Sequence, residues 1–510
     1  MTHALLASIS MPGLPPNQDL LRMLPVLILS GGFIVLLLLD LVTPPSARTA
    51  LAALSALFLA VTLGAVIWGF IDIGRDAPAL HPGLAYYGSY AYDRFSLFVD
   101  AIILASALVV VLISPGYLNR RGLHYGEYYA LILGSTIGMI LLAAAASLLV
   151  IFLGIELLSI SLYILCGFAH TEERSQESAL KYLMLGGFAS GFLLYGMALV
   201  YGETGHTTLT GIRASLDAVH GTDSLFLIGV GLMFVGFAFK ISAAPFHTWT
   251  PDVYQGAPTS VTTFMSVTTK VAAFAALIRV FSATFEGSYA KWNGIVAFVA
   301  IVSMVIGNLA ALGQTSVKRM LAYSGVAQAG YILIGVAVQS PLGTVGALYY
   351  LAAYAAMNIG AFAVITMMAG RGEDLDSYDS LRGLAFRRPY VAAAMGLFLF
   401  SLGGFPPTAG FFGKFFVFSA AIQHGQMALA LWGIATSAIS VFYYLRIGLL
   451  MYSRPREGEE SYEWARTTVS GGVALVATTA GTLVLGIFTY LIYSAATLAQ
   501  VGTFPVPPNS

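Results

Sequence analysis

The sequence predicts an all-α polytopic membrane protein, and three observations support this. The chain has 510 residues, of which 58% are hydrophobic and only 9% are charged. Its mean hydropathy is +0.82. Soluble domains carry about 25% charged residues, so a chain this poor in charge lacks the polar surface that several soluble domains need. Apolar runs of roughly 20 residues, long enough to cross a bilayer as a helix, recur along the chain.

The apolar runs predict about fourteen spans, and no linker between them is long enough to separate soluble domains. Residues 1–510 are therefore expected to form a single membrane domain. The predicted spans lie near 23–42, 49–71, 95–115, 125–145, 147–168, 177–201, 224–244, 260–283, 293–312, 323–338, 343–369, 390–421, 425–452 and 469–497. The first twenty residues lack the Arg-rich pattern of an organelle transit peptide, and the first span is too long for a signal peptide.

The basic residues predict the orientation, because cytoplasmic loops carry an excess of lysine and arginine. Six of the 24 basic residues lie within spans or at their ends. Of the other 18, 13 follow odd-numbered spans and 5 lie on the opposite side. The loops after odd-numbered spans are therefore expected to face the cytoplasm. This puts both termini on the outer, periplasmic side of a bacterial inner membrane.

Composition also excludes several classes of function. The 24 basic residues balance 24 acidic ones without any basic tract, so the chain is not a nucleic-acid binder. The single cysteine, Cys166, excludes disulfide frameworks, Cys-based zinc sites and iron–sulfur ligation. No nucleotide-binding loop follows a strand pattern, and histidine and glutamate do not recur at metal-ligand spacing. We therefore expect no metal and no cofactor in this chain, and any redox centre must belong to another chain.

Four lysines and a glutamate stand near the middle of predicted spans and need a reason: Glu156, Lys181, Lys240, Lys270 and Lys414. Each costs roughly 2.5–3.5 kcal/mol near the bilayer centre on insertion scales. Desolvation and a nearby carboxylate act in opposite directions on the proton affinity of a lysine, so such groups can form a proton relay. Two alternatives remain. Lys181, about one turn inside its span, could extend to the headgroups, and a buried Glu–Lys pair could serve only to hold helices together.

Two spans are predicted to be broken, and each break lies beside a buried lysine. Pro245 follows Lys240 by five residues, and residues 403–407, which include two glycines and two prolines, precede Lys414. Irregular backbone survives at membrane depth only against protein or a water-filled cavity. The breaks lie 162 residues apart, about five spans. Paired interruptions of this kind indicate an internal repeat with relay sites at its core, although proline and glycine are also simply common in membrane helices.

Histidine supplies one further relay candidate. His247 follows Lys240 by seven residues, which on a regular helix is the same face two turns on, although Pro245 intervenes. Imidazole titrates near neutral pH, so His247 could pass protons from Lys240 towards Lys270. The alternative is a loop histidine that hydrogen-bonds local backbone.

Four segments carry a family resemblance. They are FKISAAPFHTWTPDVYQGAP (239–258), ESALKY (177–182), QTSVKRMLAYS (314–324) and GGFPPTAGFFGK (403–414). The chain resembles the antiporter-like proton-pumping subunits of respiratory complex I, most closely the N-type subunit, known as subunit 2 in mitochondria and B in photosynthetic relatives. The resemblance covers roughly residues 90–455.

The resemblance implies fourteen helices with two inverted five-helix repeats and broken seventh and twelfth helices. Helices 1–3 would occupy 20–120, the first repeat 124–284, the second repeat 293–453 and helix 14 residues 468–497. It also implies the relay residues, which are Glu156, Lys181, Lys240, His247, Lys270 and Lys414. A lysine at 414, where the M-type relative has glutamate, favours the N type, as does Lys181.

The expected function is that of a proton-translocating membrane subunit of an NADH:quinone oxidoreductase. FMN, iron–sulfur clusters and quinone would lie in partner subunits, and the neighbours in the bilayer would include other antiporter-like subunits. Two alternatives remain open: a subunit of a multisubunit cation/proton antiporter, and a structural scaffold whose charges only assemble helices. The insert 72–92 and the acidic segment 457–463 have no assigned role.

Overall fold

The computed structural model describes residues 17–75, 78–219, 224–370, 376–454 and 464–500. The acidic segment 457–463 lies outside these residues. Most of the described chain is helical, and a single short hairpin supplies the strands.

The first half contains α1 (Asn17–Arg22), α2 (Leu24–Asp40), α3 (Arg48–Asp72), β1 (Gly83–Ala85), β2 (Tyr90–Tyr92), α4 (Arg94–Arg121), α5 (Gly126–Ala143), α6 (Leu148–Cys166), α7 (Glu173–Thr204), α8 (Leu209–Val219), α9 (Ser224–Lys240), α10 (Trp249–Gly256), α11 (Thr259–Met265) and α12 (Thr268–Leu277). The second half contains α13 (Tyr289–Leu312), α14 (Val317–Ala337), α15 (Pro341–Met368), α16 (Leu384–Arg387), α17 (Pro389–Gly403), α18 (Ala409–Gln423), α19 (Met427–Tyr452), α20 (Val469–Ile487) and α21 (Thr489–Ala499).

Eleven helical segments of the described chain are long and apolar enough to cross a membrane, and α2, α9, α17 and α18 are shorter apolar helices. The most apolar stretch of Thr259–Thr284 is completely buried, and that of Val317–Ala337 is 94% buried. The corresponding stretch of Glu173–Thr204 is only 33% buried. Outer helices therefore turn apolar side chains outwards, as the lipid-facing surface of a membrane protein does, around a fully enclosed centre.

Both predicted helix breaks are present. The seventh apolar run ends as α9 at Lys240, and the helix resumes as α10 only at Trp249. The twelfth run is divided into α17 and α18 by residues 404–408. Gly404 ends α17 with φ +88°, in the left-handed region that glycine tolerates.

The eighth span departs from the prediction, because 260–283 is not one regular helix. It consists of α11, a turn at Ser266 and Val267, α12, and a π-helical end at Ile278–Thr284. Lys318 lies between the predicted spans 293–312 and 323–338 and was therefore expected in a loop, but it stands in the first turn of α14 and is 1% exposed. Its Nζ donates to the carbonyl of Ala257 at 3.0 Å, which holds the start of α14 against the start of α11.

Within the insert, residues 83–92 form the hairpin of β1 and β2, which packs against the helices. The strands pair antiparallel, and Tyr90 forms an isolated bridge with Ala145. Next to it, Asp93 caps α4 and accepts two hydrogen bonds from Arg279, at 2.8 and 3.1 Å. Burial alone would raise the pKa of Asp93, but the ion pair with Arg279 outweighs burial and lowers it.

Glycines bring two helix pairs into backbone contact. A Cβ on Gly138 of α5 would lie 2.5 Å from the backbone N of Leu158 in α6, and one on Gly154 of α6 would lie 3.0 Å from the carbonyl oxygen of Gly138. Gly196 of α7 and Gly229 of α9 meet in the same reciprocal way. Small residues at helix interfaces permit this close packing in membranes.

Candidate functional site

Lys240, the last residue of α9, is 3% exposed and lies in a cage of aromatic side chains. Its Nζ donates a hydrogen bond to Ser159 Oγ of α6 at 2.7 Å. The ring centroids of Tyr182, Phe239 and Tyr163 lie 5.3, 5.7 and 5.8 Å from Nζ. Cation–π contacts favour a charged ammonium in this position, whereas burial disfavours it. Such a balance suits a group that gains and loses a proton.

Glu156 lies on α6 one turn before Ser159, half-buried beside the cage. Its carboxylate accepts a hydrogen bond from Ser190 Oγ of α7 at 2.5 Å. Glu156 and Lys240 form no ion pair among the described residues, although the carboxylate lies within electrostatic range of the ammonium. The glutamate thus lies near the lysine but is hydrogen-bonded to Ser190. A change of rotamer or of protonation can bring Glu156 and Lys240 into contact.

Lys181 lies apart from this cage, with its side chain 40% exposed. Its Nζ pairs with Glu177 at 2.7 Å and with Asp252 of α10 at 2.8 Å. Asp252 also accepts a hydrogen bond from Arg319 at 2.7 Å. These four side chains line a cavity of about 240 Å³. Lys181 therefore lies in this charged cavity, called the charged mouth below, and only its sequence neighbour Tyr182 contributes to the aromatic cage of Lys240.

His247 lies in the break between α9 and α10, half-buried, with its ring centroid 6.1 Å from that of Tyr323. Its Nδ1 is buried without a hydrogen-bond partner in the described chain. Lys270 of α12 is 2% exposed and donates to the carbonyl of Gly325 at 2.8 Å. The histidine and the central lysine therefore both contact one turn of α14, residues 323–325.

A chain of polar side chains leads from that turn to the second break. Ser324 and Tyr444 share a short hydrogen bond. Gln328 Nε2 donates to Tyr444 Oη at 3.3 Å and to the carbonyl of Leu402 at 3.2 Å. Lys414 Nζ donates to the same Leu402 carbonyl at 3.2 Å. Hydrogen-bonded polar groups thus lie between Lys270 and Lys414, with the backbone carbonyls of Gly325 and Leu402 as acceptors at the two ends.

Lys414 of α18 is 4% exposed and uses the backbone that the second break releases. Its Nζ donates to the carbonyls of Leu402 at 3.2 Å and Gly403 at 2.9 Å, and to Ser437 Oγ at 2.7 Å. The last carbonyls of a helix carry partial negative charge and attract cations. The nearby cavity, about 440 Å³, is otherwise lined mainly by apolar side chains.

The structure adds groups that sequence analysis did not select. Ser159, Gln328 and Tyr444 are buried polar residues within apolar helices, a signal that is visible in the sequence but not distinctive. Asp100 of α4 is a stronger candidate for a functional residue. It is 1% exposed, and neither carboxylate oxygen has a hydrogen-bond partner in the described chain. It lies within electrostatic range of Asp93 and Arg279. An acidic residue inside an apolar run was the available signal.

Within the described ranges, no three His, Cys, Asp or Glu side chains are grouped so as to hold a metal ion. The site instead consists of lysines, one glutamate, one histidine and uncharged polar groups. Such an arrangement can store a proton on each lysine and pass it between neighbours. Together, the helical membrane fold and the buried side chains of Lys240, Lys270 and Lys414 define an antiporter-like membrane subunit.

Comparison with known proteins agrees with this class. Residues 145–440 match the family described as NADH:quinone oxidoreductase/Mrp antiporter, transmembrane, and the chain belongs to this family. NADH-quinone oxidoreductase subunit N of Trichlorobacter lovleyi is 44% identical over 474 residues, which cover 93% of this chain and 95% of that protein. The predicted resemblance to the N-type subunit is thereby confirmed.

Solved structures give the same fold. A chain of respiratory complex I from Thermus thermophilus with bound aureothin is 35% identical, with a TM-score of 0.77 and coverage of 94% of this chain and 100% of that chain. A chain of the Mrp complex from Dietzia sp. has a TM-score of 0.81 over 95% of this chain and 98% of its own. That chain is 22% identical, so it supports the fold alone.

Proposed function

We propose that this chain is a proton-translocating membrane subunit of an NADH:quinone oxidoreductase, driven by electron transfer to quinone in partner subunits. The observation that carries the proposal is the set of hydrogen-bonded polar groups that lies between Lys270 and Lys414, namely the Gly325 carbonyl, Ser324, Tyr444, Gln328 and the Leu402 carbonyl. A scaffold that only holds helices together has no need of lysines at membrane depth, where each ionisable side chain is costly.

The relay is proposed to run along this line. Lys181 helps to form the charged uptake mouth with Asp252 and Arg319, and His247 lies between that region and Lys270. Lys240 stores a proton in its aromatic cage, where Glu156 approaches or withdraws and so favours or disfavours the charged ammonium. Lys414 receives the proton at the far end.

Asp100 supports a route towards the opposite side of the membrane. Arg279 follows Lys270 by nine residues, or about 13 Å along a regular helix. Asp100, near Arg279, is buried without a hydrogen-bond partner in the described chain, and an unpaired buried carboxylate is costly unless it holds a proton or contacts water. We infer that Asp100 takes protons from the central lysine region on their way out.

The finer topology also belongs to this proposal. If α2 is counted as a span, and α9 with α10 and α17 with α18 as one broken span each, the eleven long segments become fourteen crossings. We propose inverted repeats over 124–284 and 293–453, after helices 1–3 in 20–120 and before helix 14 in 468–497. Both termini would then face the periplasm of a bacterial inner membrane.

The partners follow from the same proposal. FMN and iron–sulfur clusters would be held by peripheral subunits and quinone by neighbouring ones, since the chemistry of this site is acid–base only. Other antiporter-like subunits would continue the line of charges. A subunit of a multisubunit cation/proton antiporter is the second candidate, because the description of the matching family names the Mrp antiporter beside NADH:quinone oxidoreductase.

The test replaces Lys240 or Glu156 by alanine in the assembled complex, reconstituted in sealed vesicles. Proton passage through this subunit is expected to fall about 10²-fold or more, the typical contribution of a positioned proton-transfer group. Electron transfer per assembled complex measures assembly, and exposed Lys291→Ala is the matched control. An unchanged ratio of protons to electrons would contradict the relay. Proton movement that needs Na⁺ or K⁺ and not quinone reduction would favour the antiporter.

A further inference from the structure

An apolar groove of about 580 Å³ lies between α3, α4, α15, α20 and α21, away from the lysine line. Its volume falls within the range of about 300–1,000 Å³ that small-molecule sites occupy. Among its lining side chains only Ser106 and Thr478 carry a hydroxyl group, and the rest are apolar. Alanines such as Ala105, Ala355 and Ala477 line much of the groove, so its space comes from small side chains.

The groove has the length of one lipid chain. On α4 it is lined from Leu97 to Val109, which is about 18 Å at 1.5 Å per residue. Half of a hydrocarbon core about 30 Å thick measures about 15 Å. The groove begins one turn after the first residue of α4 and therefore runs from the end of a span towards the middle of the membrane.

A cation lies at the outer end of the groove. Arg94 is the first residue of α4, and its Cζ is 5.9 Å from the ring centroid of Phe70, which lines the groove. Arg94 is half-buried, and its Nε is buried without a hydrogen-bond partner. Within the described residues its guanidinium pairs with no carboxylate, whereas Arg75 nearby pairs with Asp72. At this end of the groove, the planar guanidinium of Arg94, which pairs with no described carboxylate, can thus donate hydrogen bonds to an anion.

We propose that the groove binds one membrane phospholipid, with an acyl chain between α4, α15 and α20 and its phosphate on Arg94. The apolar lining excludes a polar ligand, and the depth of the groove matches one leaflet. The arginine selects for a phosphate rather than for hydrocarbon alone. The proposal is independent of the proton relay, since none of the relay residues lines the groove.

The test uses the intact complex in phosphatidylcholine vesicles that contain phosphatidylglycerol with a photoreactive acyl chain. After illumination, modified peptides are mapped by mass spectrometry. We expect adducts within 97–109 and 477–495. Ala105→Phe fills the groove and should lower this labelling about tenfold, equal to about 1.4 kcal/mol. Ala60→Phe, at an exposed position of α3 outside the groove, is the matched control and should leave labelling unchanged.

The role of Arg94 is tested with two probes. Arg94→Gln should lower labelling by the phosphatidylglycerol probe about tenfold but leave labelling by a diacylglycerol probe, which lacks the phosphate, nearly unchanged. Lys291→Gln is the charge control. The lipid-facing surface of α7 at Leu183–Tyr195 reports whether a variant has folded, because its labelling should stay constant.

Two outcomes would overturn the proposal. Even labelling of all lipid-facing helices, insensitive to Ala105→Phe, would show that the groove holds no specific lipid. Crosslinks from groove residues to a partner subunit, in place of lipid adducts, would show that a protein helix covers it.

Discussion

The two helix breaks present their lysines in opposite ways. Lys240 precedes its break and has one hydrogen-bond acceptor in the described chain, Ser159, within a cage of aromatic rings. Lys414 follows its break and has three acceptors, two of them carbonyls freed where α17 ends. The same pattern, a broken helix with a lysine beside the break, thus produces two different sites. The groups that support a charged ammonium can move at Lys240, whereas they are fixed at Lys414.

The difference follows from what each environment does for a charged ammonium. Backbone carbonyls at a helix end cannot turn away, so they favour the charged form of Lys414 continuously. A serine hydroxyl can rotate, and Glu156 is held by Ser190 rather than by the lysine, so the support for charge on Lys240 can change. In the proposed relay, Lys240 is therefore suited to be the lysine whose charge changes, and Lys414 to be the receiver.

The sharpest test of this contrast is the matched pair Ser159→Ala and Ser437→Ala. Loss of a hydrogen bond to a charged group costs about 1.5–3 kcal/mol, and Ser159→Ala removes the acceptor of Lys240. Proton passage should fall about tenfold or more, measured as proton uptake by vesicles during quinone reduction. Ser437→Ala leaves two carbonyls and should lower it less than about threefold. Equal losses would mean that the two sites do not differ as described.

A smaller effect is expected at the cap of the second break. Gly404→Ala places a Cβ at φ +88°, about 3.0 Å from the side chain of Lys414. A left-handed alanine costs roughly 1–2 kcal/mol, so the melting temperature in detergent should fall and the lysine should be displaced. Gly396→Ala, on the same α17 with no atom near the added Cβ, is the control and should be neutral or stabilising. An unaffected Gly404→Ala protein would show that the position of Lys414 does not depend on this helix cap.

The smallest effect is expected at Lys181. Its ion pairs are exposed, and such pairs contribute about 0–1 kcal/mol. Lys181→Ala should leave the melting temperature nearly unchanged and slow proton uptake only a few-fold, more at low ionic strength, where charges at a mouth act at longer range. A loss as large as that of Lys240→Ala would place Lys181 within the relay itself.

The fold class, the family and the two breaks could be predicted because each leaves a strong local signal. Apolar runs mark the spans, and Pro245 and the 403–407 segment interrupt them. The break at Ser266 and the π-helical end at Ile278–Thr284 left no such mark, since they contain no proline or glycine. Their irregular backbone is set by packing in the fully enclosed centre, which no local pattern reveals.

The candidate site divides in the same way. Buried lysines are costly in lipid and stand out in any apolar run, so Lys240, Lys270 and Lys414 could be selected directly. Gln328, Tyr444 and Ser159 are common in membrane helices, and only the fold shows that they touch the lysines or one another. Lys318 was misassigned to a loop because the polar residues around it resemble a loop, whereas its ammonium is buried on the Ala257 carbonyl.

The reciprocal glycine contacts have a mechanical consequence. Where α5 meets α6 and α7 meets α9, backbone touches backbone, so neither pair can slide or rotate without a steric clash. The two helix pairs that carry Ser159 and Lys240 to the aromatic cage thus behave as rigid units. Compliance is left to the break after Lys240, the irregular ends of α12 and the side-chain rotamers themselves. A displacement imposed by a neighbouring subunit would therefore move the rigid helix pairs as units. The change in conformation would occur at the few irregular segments between them.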